Sequence, residues 1–282
     1  MKLLKEKRKV INMLIGMISD LHIDRHNKLT PKDYEQALVA VIKQQKIELL
    51  LIAGDVSNHY KLTQSFVKEI EMQTKIKVLF IPGNHDFWSM DTDATSSEIL
   101  DTYIEMDNCL IDEPYVINDE WAIVGNTGWY DYTYAHSKFS LERIARRKYY
   151  GATWQDKVKI DWEIEDKKLS MIAAKQAMKD IEKVKDKKII LMTHIVTHRK
   201  FAVPMPHRIF DYFNAFIGTS DFDEIYTRYD IKYSIMGHVH FRNAFEENGV
   251  TYICPCLGYQ REWRTPYIEQ EINHALHKIE IN

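Results

Sequence analysis

The chain of 282 residues carries 38 Lys and Arg against 41 Asp and Glu, a formal charge of −3, with 45% hydrophobic and 28% charged residues. This is the composition of a globular protein; it excludes a disordered chain, a collagen and a coiled coil, and it argues against a nucleic-acid binder that relies on net positive charge. Three cysteines, Cys109, Cys254 and Cys256, are too few for a disulfide framework, so the chain is read as cytoplasmic.

The first nineteen residues imitate a signal peptide, with a basic stretch at 1–9 followed by an apolar run. No small-residue cleavage site follows, and the run leads straight into Ser19-Asp20-Leu21-His22. No other apolar run approaches the ~20 residues of a membrane span. The run 10–19 reads as a buried strand. Thr30-Pro31 then opens a helix, with Pro at its first position and Tyr34, Ala37, Leu38, Val41 and Ile42 on one face. A strand at 47–53, a helix over 61–73 and a strand at 77–81 complete a β-α-β-α-β order, which implies parallel strands. Thr95-x-x-Glu98 is a capping box for a helix near 96–106. Beyond a strand at 121–125 comes a polar, aromatic and helical stretch from about 130 to 186, and buried strands resume at 188–193 and 231–236. Asn248-Gly249 marks a two-residue hairpin turn, and two further strand-like runs lie near 267–272 and 276–281. The economical reading is one α/β domain over 1–282 with a cap inserted at about 130–186.

Five of these apolar strands end in residues that bind metals: Asp20-Leu21-His22, Gly54-Asp55, Gly83-Asn84-His85-Asp86, His194 and Gly237-His238-Val239-His240. Singly, each is a weak signal, because a D-x-H or H-x-H pair is often a surface pair and Asn and Asp often serve a turn. In an open α/β sheet, however, ligands bind beyond the carboxyl ends of the strands, so the five ends converge in space. Imidazole and carboxylate donors without thiolate suit Mn, Fe or Zn, and four histidines argue against Mg or Ca.

The ordered set D-x-H, G-D, G-N-H-D, a lone His and G-H-x-H resembles the pattern of the calcineurin-like metallophosphoesterases, and it runs here from Asp20 to His240. The resemblance implies a four-layer α/β/β/α sandwich and two metal ions. One would be held by Asp20, His22 and His240, the other by Asn84, His194 and His238, with Asp55 bridging them and Asn84 also next to the substrate. It further implies hydrolysis of a phosphomonoester or phosphodiester by a metal-bridging hydroxide, with His85 as general acid. Two divalent ions, two aspartates and one hydroxide leave a charge of about +1, which attracts a phosphate anion. One position departs from the pattern. Asn58 stands where many members have an Asp that orients the general acid, and an amide can orient His85 but cannot stabilise its charged form.

Between Trp129 and Trp162 there are nine aromatic residues in 34, and Lys138, Arg143, Arg146, Arg147 and Lys148 face only Glu142 nearby in sequence. This composition suggests recognition of a small organic phosphate with a planar or bulky group, a nucleotide or a nucleic-acid end, with Arg146 and Arg147 as contacts. The plain alternative is a solvated helix whose aromatics pack on the domain. His198, in the loop after His194, is a further candidate phosphate contact. Two other functions compete with a phosphoesterase. A nuclease is disfavoured by the charge balance and by the lack of a long C-terminal extension. A protein-binding scaffold of the same fold is disfavoured because all seven candidate ligands and His85 are present.

Overall fold

The structure is a computed structural model and describes residues 12–88 and 93–282. The leader-like segment 1–9 and residues 10 and 11 of the first apolar run lie outside the described residues. In chain order the elements are β1 (Met13–Ile18), α1 (Pro31–Gln45), β2 (Leu49–Ala53), α2 (Tyr60–Thr74), β3 (Lys77–Ile81), α3 (Ser96–Ile104), β4 (Tyr115–Val116), β5 (Trp121–Asn126), α4 (Leu141–Ala145), β6 (Lys148–Tyr149), β7 (Ala152–Thr153), α5 (Asp156–Lys159), α6 (Asp166–Glu182), β8 (Lys188–Thr193), α7 (Phe210–Phe213), α8 (Asp223–Arg228), β9 (Ile231–Ile235), β10 (Arg242–Glu247), β11 (Val250–Pro255), α9 (Ile268–Ala275) and β12 (His277–Ile281).

Two sheets stack face to face, in the orders β12-β1-β2-β3 and β10-β11-β9-β8-β5-β4. The central strands β1-β2-β3 and β5-β8-β9-β11 pair in parallel, as the β-α-β order requires. β2, β3 and β8 read as near-continuous apolar runs because both of their faces are buried, while β9 mixes apolar with polar residues. Successive side chains alternate sides. Leu49, Leu51 and Ala53 of β2 meet Ile190 and Met192 of β8 between the sheets. Leu50 and Ile52 turn outward under α1 and α2, while Ile189 and Leu191 turn outward under α6 and α8. The result is the four-layer α/β/β/α sandwich.

The stretch 130–186 holds two different things. α6 lays Ala173, Ala174, Ala177 and Ile181 on Ala122 and Val124 of β5, so it belongs to the outer helix layer. The segment before it gathers with α7 into a separate aromatic cluster around Trp129, Tyr130, Ile144, Tyr212 and Phe216.

The hairpin turn is as read from the sequence. Asn248 (φ 52°) and Gly249 (φ 77°) both adopt the left-handed conformation, and β10 and β11 pair antiparallel on either side. The strand expected at 267–272 is instead the helix α9. Its buried residues Glu271, Ile272 and Ala275 follow a helical spacing, and Glu271 pairs with Arg242. β12 then returns antiparallel to β1 and not to the hairpin. Among the described residues, no helix is long and apolar enough to cross a membrane.

Candidate metal centre

The two sheets bring all five strand ends to one edge. Asp20 follows β1, Asp55 follows β2, Asn84 follows β3, His194 follows β8 and His238 follows β9. Backbone bonds between loops fix them: Asp20 N–H donates to Gly54 O at 2.9 Å, His22 N–H to Asp55 O at 3.1 Å, and Gly237 N–H to His194 O at 3.0 Å. The turns are tight. Asp20, His22, Asp55, His238 and His240 all have positive φ, between 44° and 73°, a conformation that non-glycine residues adopt when the surroundings hold them there. Gly54 (φ 85°) needs its missing Cβ, which would sit 2.6 Å from Gly83 N and from His194 Nδ1. A Cβ on Gly83 would run into the Asp55 carboxylate.

One carboxylate locks two of these turns together. Asp86, fully buried, accepts from the backbone N–H groups of Asp55 (2.8 Å), Val56 (3.1 Å), Ser57 (3.1 Å) and Gly83 (2.8 Å) and from the Thr63 hydroxyl (2.8 Å).

The donor atoms form two groups that share Asp55: Asp20, His22, Asp55 and His240, and Asp55, His194 and His238, the atoms within each lying within 4.8 Å of one another. Asn84 adds its Oδ1 to the second, 3.0 Å from His194 Nε2 and 2.9 Å from His238 Nδ1. Three of the four histidines have their outer nitrogen engaged by an acceptor. His194 Nδ1 meets Ala53 O (2.8 Å), His238 Nε2 meets Phe216 O (2.9 Å) and His240 Nδ1 meets Glu262 Oε2 (3.0 Å). With the proton on that side, the inner nitrogen presents a lone pair, the arrangement that prepares imidazole for a metal. The inner nitrogens then face other acceptors: His22 Nε2 lies 2.9 Å from His240 Nε2 and 3.7 Å from Asp55 Oδ2. A buried cluster in which acceptors face acceptors is satisfied by cations, and its two groups of nitrogen and oxygen donors fit two metal ions.

The histidines differ in their electrostatics. Against burial, which lowers it, Asp55 and Asp20 push His194 up to about 9. Burial and then the neighbouring His194 hold His238 down at about 3. Burial and the neighbouring carboxylates thus separate the histidines: His194 and His240, beside Asp20 and Asp55, are shifted up, while His22 and His238 are held down by burial.

His85 lies beside this cluster. Its Nδ1 is 2.7 Å from Asn58 Oδ1, so Nδ1–H donates there and Nε2 faces Asp55 at 4.0 Å. Its ring stacks on Trp88 at 3.7 Å. Burial, partly offset by Asp55, brings its pKa down to about 4.

A cleft of about 650 Å³ opens over the cluster. Arg25, Arg261 and Lys159 supply its positive charge, and Val203, Phe210 and Phe241 part of its apolar lining. The residues expected to bind substrate from the neighbouring charge run are not there. Arg147 is ion-paired with Asp166, which also accepts from Tyr132, so it serves the packing of α6. Arg146, exposed at the end of α4, does not line the cleft, and its carbonyl accepts from Lys157. His198 pairs with Glu247 at 2.8 Å and packs its ring on Phe245 and Tyr252, outside the cleft. Of the nine aromatics between 129 and 162, Trp154 alone lines the cleft. Trp129, Tyr130 and Tyr134 are core.

Several residues of the site have no local sequence signal. Glu262 orients His240, Tyr259 lies 4.5 Å from the rings of both His22 and His240, and Asp156 accepts from Asn84 Nδ2 at 2.9 Å. Burial raises the Asp156 carboxyl to about 6. The contacts of all three are long-range or depend on loops without regular structure, so no periodicity announces them.

Comparison with known proteins agrees with this geometry. Residues 13–242 match the family described as calcineurin-like phosphoesterase. The chain is 24% identical over 238 residues, 76% of its length and 70% of the relative's, to the [acyl-carrier-protein] phosphodiesterase PptH of Mycobacterium tuberculosis. The crystal structure of that phosphopantetheinyl hydrolase superposes with a TM-score of 0.74 at 20% identity, covering 95% of this chain and 96% of the other. Protein TT1561 of Thermus thermophilus shares the fold more distantly, with a TM-score of 0.53, 10% identity and coverage of 87% and 90%. The chain belongs to the calcineurin-like phosphoesterase family and is a hydrolase of phosphoester bonds.

Proposed function

We propose that the chain is a metal-dependent phosphodiesterase that removes an extended organic phosphate, of the phosphopantetheine kind, from a carrier protein. The observation that carries this reading is the likeness to PptH over nearly the whole of both chains. The cleft supports it. Its volume is that of a site for a medium-sized ligand, and it combines guanidinium and ammonium groups for a phosphate with an apolar lining for an uncharged arm.

Asp20, His22, Asp55 and His240 would hold one ion and Asp55, Asn84, His194 and His238 the other. When bound there, Mn, Fe or Zn ions supply the Lewis acidity that activates water and neutralises charge on the phosphoryl oxygens. The rest falls to the chain's own groups. Arg25 and Arg261 draw the anionic substrate to the mouth of the cleft. Trp88 holds the His85 ring by stacking, and Asn58 fixes the proton on Nδ1 so that Nε2 faces the reacting phosphate. In its protonated form His85 gives the Nε2 proton to the leaving oxygen as the phosphorus–oxygen bond breaks. Of the stretch read as a cap, about 130–186, residues 153–156 and Lys159 line one side of the cleft. The reading places the protein in the cytoplasm, in keeping with its three free cysteines.

A nucleotide is the second reading, favoured by the two indoles, Trp88 and Trp154, in the cleft lining. The test is to incubate the Mn²⁺-loaded protein with phosphopantetheinylated acyl carrier protein and, in parallel, with a nucleotide panel and bis(p-nitrophenyl) phosphate. Conversion of the carrier protein to its apo form, read by intact mass, is expected. Turnover of the aryl diester with an unchanged carrier protein overturns the substrate assignment.

A further inference from the structure

We propose that Asp156 is a positioning residue for the candidate ligand Asn84 and joins the cap to the metal centre. This rests on the reading of Asn84 as a metal ligand. Asp156 opens α5 in the cap segment and is 1% exposed. Its Oδ1 accepts from Asn84 Nδ2 at 2.9 Å and from Trp88 Nε1 at 2.8 Å. Its Oδ2 accepts from Trp154 Nε1 at 2.9 Å, and the Tyr130 hydroxyl stands at 3.4 Å.

The chemistry is directional. An asparagine amide can present either its oxygen or its NH₂ to a neighbour, and only the oxygen is a useful metal donor. An ionised carboxylate accepts and never donates, so Asp156 binds the NH₂ end and turns Asn84 Oδ1 toward His194 and His238. Among the described residues Asp156 makes no ion pair with Lys, Arg or His. A buried carboxylate without a cationic partner is costly, and a cation at the other end of the Asn84 amide provides the compensating charge. Trp88 and Trp154 both line the cleft, and Trp88 also stacks on His85. The surfaces a substrate touches and the metal ligand therefore hang from one anchor.

The test is Mn²⁺ titration of the metal-free protein by calorimetry, comparing wild type with Asp156→Asn and Asn84→Ala, alongside the melting temperature of each metal-free variant. Asp156→Asn is expected to weaken one of the two Mn²⁺ sites by about 10–100-fold, the effect typical of removing an outer partner of a metal ligand, and to leave the other within about threefold. If Asp156→Asn lowers the melting temperature and leaves both Mn²⁺ affinities unchanged, Asp156 is structural only and the proposal fails. If Asn84→Ala leaves both affinities unchanged, Asn84 is no ligand, and the reading beneath the proposal fails. Should Asp156→Asn not fold, Asp156→Glu keeps the charge and displaces the acceptor oxygens. A single weakened Mn²⁺ site is again expected, and unchanged binding overturns the proposal.

Discussion

Replacing Asp86 by alanine should cost the fold more than almost any other single change at the site. The carboxylate accepts four backbone N–H groups, from Asp55, Val56, Ser57 and Gly83, and the Thr63 hydroxyl, all at 2.8–3.1 Å and away from solvent. Leaving a buried donor unpaired costs about 1–3 kcal/mol, so five of them set an upper bound of about 5–15 kcal/mol. Water entering the space vacated by the carboxylate satisfies roughly half, and a net loss of about 4 kcal/mol remains. At ~2–4 °C per kcal/mol for a chain of this size, the melting temperature should fall by about 10 °C. Calorimetry in the presence of a chelator isolates this loss from any effect of metal binding. Asp86→Asn, which keeps the shape and one acceptor oxygen, should lose less. A fall below about 2 °C for Asp86→Ala would refute the idea that this carboxylate holds the two turns together.

Other outcomes follow from the same geometry. Asn58→Asp places a negative charge beside His85 Nδ1, 2.7 Å away in the wild type, and should raise the His85 pKa from about 4 by about one unit or more, moving the basic limb of the kcat/KM profile upward. Superimposable profiles count against His85 as the acid. The double variant Arg25→Ala with Arg261→Ala should raise KM for an anionic substrate with little change in kcat, while Arg146→Ala changes neither. The reverse ranking would restore the basic run after α4 to the substrate. Asp161 accepts from the N–H and hydroxyl of Ser96 at the start of α3 at 2.7 and 2.6 Å, and the hydroxyl bond is the larger cause of its lowered pKa. A lowered folded-state carboxyl contributes stability above its unfolded pKa and loses it as pH falls through the folded value. Melting temperatures of wild type and Asp161→Asn should therefore differ at pH 7 and converge at strongly acidic pH. A gap that persists in acid points to packing instead.

How much of this is legible in the sequence depends on the range over which each feature is determined. The strands 49–53, 77–81 and 188–193 are legible because two-sided burial leaves continuous apolar runs. Asp55, Asn84 and His194 stand out because each comes within three residues of the end of such a run, while His238 and His240 follow the mixed strand β9 and stand out by their G-H-x-H spacing. The segment 268–275 misleads because its apolar residues are few, and what settles it as helix is burial against α1 together with the Glu271–Arg242 pair. The aromatic and basic stretch is legible in composition but not in direction. Whether Arg147 faces a substrate or Asp166, and whether Tyr130 is surface or core, depends on residues that fold onto it from elsewhere. Asp156 has no signal at all, since its role arises from an asparagine 72 positions away.

The proposed chemistry requires two metal ions, one on either side of Asp55. Anomalous diffraction at the manganese edge, from crystals grown with Mn²⁺, tests it directly. Two peaks are expected, one within bonding reach of Asp20, His22 and His240 and the other of Asn84, His194 and His238, both reaching Asp55. No peak at Asp55, or manganese bound only elsewhere, would contradict it.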